Sequence, residues 1–431
     1  MKHTIVIIVF VIFLIPICQY VYSQAPNILI KNGSKPDSLK SQAINIPDTS
    51  QPNDASKGEF QEQDLTDVIH NIFKPHGSLP GEHGQTRDTY RHFSFIPAAG
   101  YTLQTGWAGV FSSNMAYFND TLKDSKLSSI SASITYSQYR QTIIPFQANI
   151  WTKGNDYNFI TEVRFIKYPS SIYGLGGRTD PNKGVTINFS SIKIHQTVMR
   201  EVSENVYLGL GYFYDRFWQI KALDNVSRMV NNQIAKELGK TETASGPVFR
   251  FLYDTRLNQI NPQQGALYAI TYRSNSKSLG SDSSSEDLKI DARTYLHFPS
   301  KSKNVLAFWM LDWLTVSGTP PYLLLPSTGW DDNYNTGRGY IQGRLRGRKM
   351  LYFESEYRFG ISRNGLLGGV VFTNMQNFSS DLSREYSNVF IGYGMGVRIK
   401  LNKSSRTNLA IDYGFGKNGS QGFFVNLGEV F

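Results

Sequence analysis

Between Ile391 and Leu401 the chain alternates without a break. Ile391, Tyr393, Met395, Val397, Ile399 and Leu401 fall on one side, and Gly392, Gly394, Gly396, Arg398 and Lys400 on the other. A period of two residues is that of an extended strand, here with one greasy face and one small or polar face. The pattern returns at Phe249–Asp254, Ile290–His297 and Leu409–Gly416. A soluble sandwich also alternates. However, arginines and aspartates on the inner face of several strands sit badly in a dry core and suit a wet barrel lumen. The fold class expected is therefore all-β, a transmembrane antiparallel β-barrel.

The amino terminus agrees with export. Met1-Lys2-His3 is a short basic start, Thr4–Ile17 is almost wholly apolar, and Val21-Tyr22-Ser23 offers small-residue ends to a cleavage site before Gln24. Residues 1–23 read as a secretory signal peptide. Beyond it no apolar run approaches the ~20 residues of a spanning helix. Mean hydropathy is −0.32, yet there are 25 Tyr and 27 Phe; membrane barrels combine these because only every second residue meets lipid. Cys18 is the one cysteine, which leaves the exported chain without disulfide or thiolate chemistry.

Residues 24–91 are rich in Ser, Asn, Gln, Asp, Pro and Lys and show no alternation. They read as a mostly disordered periplasmic arm. One piece, 64–74, reads as a short helix: Asp64 can cap it, and Leu65, Val68, Ile69, Ile72 and Phe73 share a face. It reads as a plug or docking helix, or equally as a helix that simply rests against the barrel mouth. From residue 92 to 431, strands and turns give about 16 strands, an even number as single-chain bacterial barrels require. With the arm in the periplasm, the turns on that side come out short, and the long connections (168–183, 222–245, 276–285 and 317–347) fall on the other. That asymmetry is the one outer-membrane barrels show.

Other classes find little support. The Gly392, Gly394, Gly396 spacing does not fit a dinucleotide loop, and no helix follows it. The net charge of +10 is spread along the chain, so nucleic acid is not expected as a partner. Arg344, Arg346, Arg348 and Lys349 read as a loop or lumen cluster without the interleaved aromatics of a nucleic-acid groove. His70, His76, His83 and His92 have irregular spacing and no cysteines beside them, so no metal site is expected. No Gly-x-Ser-x-Gly elbow occurs, and Glu354 and Glu356 beside Arg358 read as a structural ion-pair network. The chain is not read as an enzyme, and no cofactor is expected.

Three segments carry a resemblance. Asp254-Thr255-Arg256-Leu257-Asn258-Gln259-Ile260-Asn261-Pro262-Gln263-Gln264-Gly265 resembles a strand-end and turn element of the form D-x-R-(D/N)-N-x-x-x-P-x-x-G, with Leu257 departing from it. Gly337-Arg338-Gly339-Tyr340 resembles an R-G-(F/Y) loop tip, and Glu354-Ser355-Glu356-Tyr357-Arg358 the strand that follows it. All three are similar to elements of the BamA/TamA insertases and bacterial surface antigen barrels.

The resemblance covers roughly 92–431. It implies that the sixth loop folds into the lumen and that Arg338 pairs with Glu356, locking the loop with Gly339 and Tyr340. Asn374 stands where the family has a second acid, which implies a lock resting on the single Arg338–Glu356 pair. Asp254, Arg256, Asn258, Pro262 and Gly265 form a periplasmic turn. Phe431 is expected to share a face with Phe423, Val425 and Leu427 as an assembly signal, with the C-terminus in the periplasm. The family's POTRA modules have no counterpart pattern in residues 24–91. The function implied is outer-membrane protein assembly or transport, with outer-membrane lipids, the assembly machinery and client proteins as partners. The alternatives are a non-translocating barrel subunit of an outer-membrane complex and, third, a passive pore.

Overall fold

The alternation becomes sixteen strands in one antiparallel sheet in the computed structural model, each strand hydrogen-bonded to its sequence neighbours. The structure describes residues 62–65, 67–68, 92–102, 105–121, 125–223, 238–381, 388–403 and 405–431. The expected signal peptide, the arm up to residue 61 and most of the 64–74 helix lie outside the described residues. The strands are β1 (His92–Thr102), β2 (Gly106–Phe118), β3 (Leu127–Ser137), β4 (Thr142–Trp151), β5 (Tyr157–Ile172), β6 (Val185–Ser203), β7 (Val206–Ala222) and β8 (Glu242–Asp254). They continue with β9 (Gly265–Asn275), β10 (Ser285–His297), β11 (Val305–Gly318), β12 (Lys349–Gly360), β13 (Leu367–Ser379), β14 (Val389–Asn402), β15 (Thr407–Phe415) and β16 (Gln421–Leu427). The edges β1 and β16 come within 8 Å of each other, Cα to Cα, so the sheet curls round on itself. Among the described residues no backbone ladder joins them.

The two faces divide as the period of two requires. Ile391, Tyr393, Met395 and Val397 of β14 point outward and are exposed, while Met350, Tyr352, Glu354 and Glu356 of β12 point inward and are buried. The outward band is apolar because a charge there costs about 2–4 kcal/mol at the bilayer midplane. Connections 173–184, 276–284 and 319–348 lie at one mouth, and the mostly shorter described turns at the other.

The interior is not the wet lumen expected from the charged inward residues. Much of it is filled, chiefly by the loop between β11 and β12. That loop's Tyr322–Leu325 pack with Ile166, Tyr168, Phe189, Phe217 and Trp330 into a dry cluster on β5–β8. A second cluster joins Tyr295, Trp309, Tyr352, Tyr340 and Phe431. The inward charges are buried yet paired, which is the other way to meet the cost of removing them from water.

The last residues depart from expectation. β16 stops at Leu427. Gly428, at a φ of 90°, turns the chain where a side chain would be strained. Phe431 then lies inside, 5.3 Å from the Trp309 ring and 6.2 Å from the Tyr295 ring. It does not share the outer face of Phe423, Val425 and Leu427; its side chain is buried in the interior. The cause is Glu429, whose carboxylate is drawn inward by Arg398 at 2.7 Å.

The described piece of the arm docks on the short-turn mouth. Asp64 and Asp67 cap each other: the Asp67 N–H donates to Asp64 Oδ1 at 2.9 Å and the Asp64 N–H to Asp67 Oδ2 at 3.0 Å. This starts a helical turn at Leu65. Lys403 clamps it, its N–H donating to Asp64 Oδ2 at 3.0 Å and its ammonium to Asp67 at 2.8 Å. Lys400 pairs with Glu62, and the Gln63 N–H donates to the Asn364 carbonyl at 3.0 Å. Burial works to raise the Asp67 carboxyl, but hydrogen bonds and charge from Lys403 outweigh it, and its pKa is lowered. A depressed carboxylate stabilises the docked state above its free value of about 3.9 and stops doing so as pH falls through the docked value. A dye on a cysteine at Leu65 should show high anisotropy from pH 8 to 5 and lose it below about pH 4. Lys403→Ser should lower it at every pH. Indifference to both changes would rule the clamp out.

Candidate functional site

The loop between β11 and β12 brings Arg338 to the barrel wall through a series of local constraints. Asp331 accepts from the Asn335 N–H at 3.0 Å and from the Thr336 N–H and hydroxyl at 2.8 Å each, which folds 331–336 into a tight turn. The Gly337 N–H then donates to the Tyr352 hydroxyl at 3.1 Å. The Tyr340 N–H closes the tip on the Gly337 carbonyl at 3.0 Å. Gly339 has a φ of 102° and presses on β15, where a Cβ on Gly414 would stand 2.7 Å from the Gly339 nitrogen. A Cβ on Gly392 would strike the Arg338 carbonyl. The glycines of β14 and β15 are thus the socket for the loop tip.

Arg338 sits in that socket 2% exposed. Its Nη2 donates to both Glu354 and Glu356, and its Nη1 to Asp412 at 2.5 Å. The guanidinium lies 3.7 Å from the centre of the Phe372 ring. Two more arginines extend the network. Arg358 Nε donates to Glu356 at 2.7 Å and its Nη2 to the Phe431 carbonyl at 2.9 Å. Arg398 donates to Asp412 at 2.5 Å and to Glu429 at 2.7 Å. Three guanidiniums and four carboxylates therefore tie the loop to β12, β14, β15 and the chain's last residues. Every member is nearly or fully buried, so each depends on the rest for the solvation it has lost.

The predicted lock residues converge, with one correction. The lock is not the single Arg338–Glu356 pair. Glu354 and Asp412 hold the same guanidinium, and Asp412 supplies the charge that Asn374 lacks. Asn374 instead donates to the Arg338 backbone carbonyl at 2.9 Å. Gln376 accepts from the Thr328 hydroxyl at 2.7 Å, also supporting the loop. The Tyr340 hydroxyl donates to the Ile391 carbonyl at 2.7 Å and accepts from the Lys417 N–H at 2.8 Å. Asp412 and Arg398 were visible in the sequence as inward positions of alternating strands, but period-2 reading cannot say which inward residues meet across the lumen. The basic cluster is structural: Arg344 binds Thr179 at 2.7 Å, and Arg346 the Tyr322 carbonyl at 3.0 Å.

The Asp254 turn stands apart from this network and does more than reverse the chain. Arg256 grips Asp254 with two hydrogen bonds of 3.0 and 3.1 Å, and Asn258 Oδ1 caps the Ile260 and Asn261 N–H groups at 2.9 Å. Pro262 is buried behind them, and Gly265 opens β9. Asn258 and Asn261 donate to the Ser405 and Arg406 carbonyls, at 3.0 and 3.2 Å. Gln259 accepts from Asn149 at 2.7 Å, and the Ile260 carbonyl accepts from the Glu429 N–H at 3.0 Å. The turn therefore reaches across the mouth, from β4 to the β14–β15 turn.

Residues 128–431 match the Omp85 superfamily domain. Among solved structures, the chain is similar to BamA from Haemophilus ducreyi lacking POTRA domains 1–3: TM-score 0.51, 15% identity, over 79% of this chain and 70% of that one. It is also similar to CdiB from Acinetobacter baumannii, with a TM-score of 0.47 and 13% identity, over 79% of this chain and 60% of that one. Among proteins with curated descriptions, none matches the sequence.

Because Arg338 faces three carboxylates while Glu356 is one of three acids on it, the two should differ on removal. Arg338→Ala should cost about 3–5 kcal/mol of barrel stability, the usual loss when a buried pair is broken. Glu356→Gln should cost less. The double variant should cost less than the sum, since both changes touch one network. Urea titration of the folded protein in detergent measures all three; strict additivity would show that Arg338 and Glu356 do not act together.

Proposed function

The chain belongs to the Omp85 superfamily, and on that premise we propose that it is a non-enzymatic outer-membrane barrel of protein assembly or transport. The Arg338 network holds β12, β14 and β15 as a fixed body while the seam between β1 and β16 is the part that opens. The observation that supports this reading most is a contrast within one sheet. Strands β12, β14 and β15 are pinned to the loop by a buried ion network, whereas β1 and β16 approach without a described ladder. An opening there exposes strand edges, and an unpaired edge is a template for another chain's strand. In this reading residues 1–23 are the removed signal, residues 24–91 lie in the periplasm, and 92–431 form the barrel. The short turns face the periplasm, and the partners are outer-membrane lipids, the assembly machinery and client proteins.

A second reading is a barrel subunit of a larger outer-membrane complex that translocates nothing. The Asp254 turn across one mouth and the dry Tyr322–Leu325 cluster beneath the other favour it, because both obstruct the lumen. Obstruction also weighs against a passive pore.

Cysteines at Phe93 or Phe95 paired with positions 423–427 separate the two readings. Under oxidation, disulfides across the seam should block client assembly in cells if the seam must open, and should leave function intact in a static subunit. Orientation is tested with cysteines at the exposed Ser278 and Lys303 and an impermeant reagent on intact cells. Ser278 should label and Lys303 should not; the reverse pattern would invert the topology.

A further inference from the structure

Within the barrel, lined by residues from β3 round to β11, lies a cavity of about 340 Å³, within the range of about 300–1,000 Å³ typical of small-molecule sites. Gln259 and Ile260 of the Asp254 turn and Asp331, Asp332 and Asn333 of the long loop contribute to its lining. It is thus built from folded-in segments as well as from the wall.

Its charges are matched with one exception. Glu162, Asp254, Asp291 and Asp332 each hold a cation, at 3.0, 3.0, 2.7 and 2.5 Å. Asp331 is taken up by its own turn. Arg250 has no ion pair and no hydrogen bond among the described residues, and its Nε is buried. Three further atoms on the lining lack a hydrogen bond: Glu162 Oε1, which is held by its ion pair with Arg164, and one each on Trp151 and Asn158, which have no ion pair. Trp151 is 1% exposed and Asn158 0%, and neither the Trp151 indole N–H nor the Asn158 Oδ1 has a partner in the protein. Buried polar groups are nearly always satisfied, and what singles these out is that Trp151, Asn158 and Arg250 line one cavity, where a single ligand can meet them together.

Their placement gives the chemistry. Trp151 faces Asn158 across β4 and β5. Asn158 pairs with Met199, Met199 with Gly209, and Gly209 with Arg250. All three groups lie on one row of the wall, Asn158 and Arg250 three strand intervals apart, or about 14 Å. A donor and an acceptor side by side are met together by a hydroxyl, which both accepts and donates. Arg250 has the carboxylates of Asp332, Asp291 and Asp254 and the Arg293 guanidinium in its field but no direct bond, and a guanidinium without a direct partner is met by a carboxylate or phosphate. We propose that this cavity binds a small hydroxylated oxyanion, of the size of an acidic disaccharide or sugar phosphate, with the anion on Arg250 and a hydroxyl between Trp151 and Asn158.

The test uses the full folded chain in detergent, titrated by calorimetry and by tryptophan emission with digalacturonate, glucose 6-phosphate, neutral maltose and inorganic phosphate. At least one acidic sugar should bind and shift the emission, and which one does so tells carboxylate from phosphate. Maltose should bind about tenfold more weakly or worse, for want of the charge-assisted bond. Arg250→Gln should bring the acid's affinity down to that of maltose, Arg250→Lys should retain part of it, and Asn158→Leu should weaken every sugar. The comparison of acid with maltose on the unaltered chain stands even where a variant does not fold. The proposal is overturned if neither acidic sugar binds by about 10 mM. It is equally overturned if inorganic phosphate binds as tightly as the sugars, or if Arg250→Gln binds the acid undiminished.

Discussion

Bringing the Arg338 guanidinium out of water into the middle of a sheet is the constraint around which one side of this barrel is organised. A guanidinium cannot shed its charge, so it must find carboxylates, and those carboxylates must in turn be shared or balanced. Glu354, Glu356 and Asp412 surround it, and Arg358 and Arg398 balance them. Glu429 then balances Arg398 and turns the last residues inward, seating Phe431 against Trp309. The glycines of β14 and β15 follow from the same demand, since a side chain at Gly392 or Gly414 would stand where the loop tip must lie.

The charged core divides the sheet unevenly. On one side the loop, three strands and the chain's end share a single set of ion pairs, so none moves without uncompensating another. On the other, the wall is spanned by an apolar cluster toward the long-loop mouth and by a cavity whose charges pair locally, mostly between residues close in sequence such as Asp291 and Arg293. Local pairs leave strands independent of one another, whereas the Arg338 network couples strands far apart in the chain. The described part of the arm adds to the coupled side, since Lys400 falls near the end of β14, Lys403 on the β14–β15 turn and Asn364 on the β12–β13 turn.

Much of this was legible beforehand. Strand number, the faces of each strand, the asymmetry of the turns, Asp64 as a cap and the meeting of Arg338 with Glu356 were all readable. Each rests on a local rule or on a motif at fixed spacing. The reading failed where the same local rule was satisfied by a different partner. Phe431 keeps the parity of Phe423 and Val425, but Gly428 breaks the strand between them, and parity means nothing across a break. A single strand shows an inward charge without showing its counter-ion, so the pattern alone points to a wet lumen where the fold provides ion pairs.

What the sequence by itself determined is the barrel: a period of two repeated along the chain, apolar on one side, leaves a closed sheet in lipid as its consistent outcome. What only the tertiary structure decided is the interior. Alternation states that a residue points inward but carries no information on what stands opposite, because the curvature of the whole sheet and the path of a thirty-residue loop set which inward residues meet. Asp412 on Arg338 and the Asp254 turn across the mouth depend on distances across the lumen, and the unmet row of Trp151, Asn158 and Arg250 on a register carried through five strands; no local pattern encodes either.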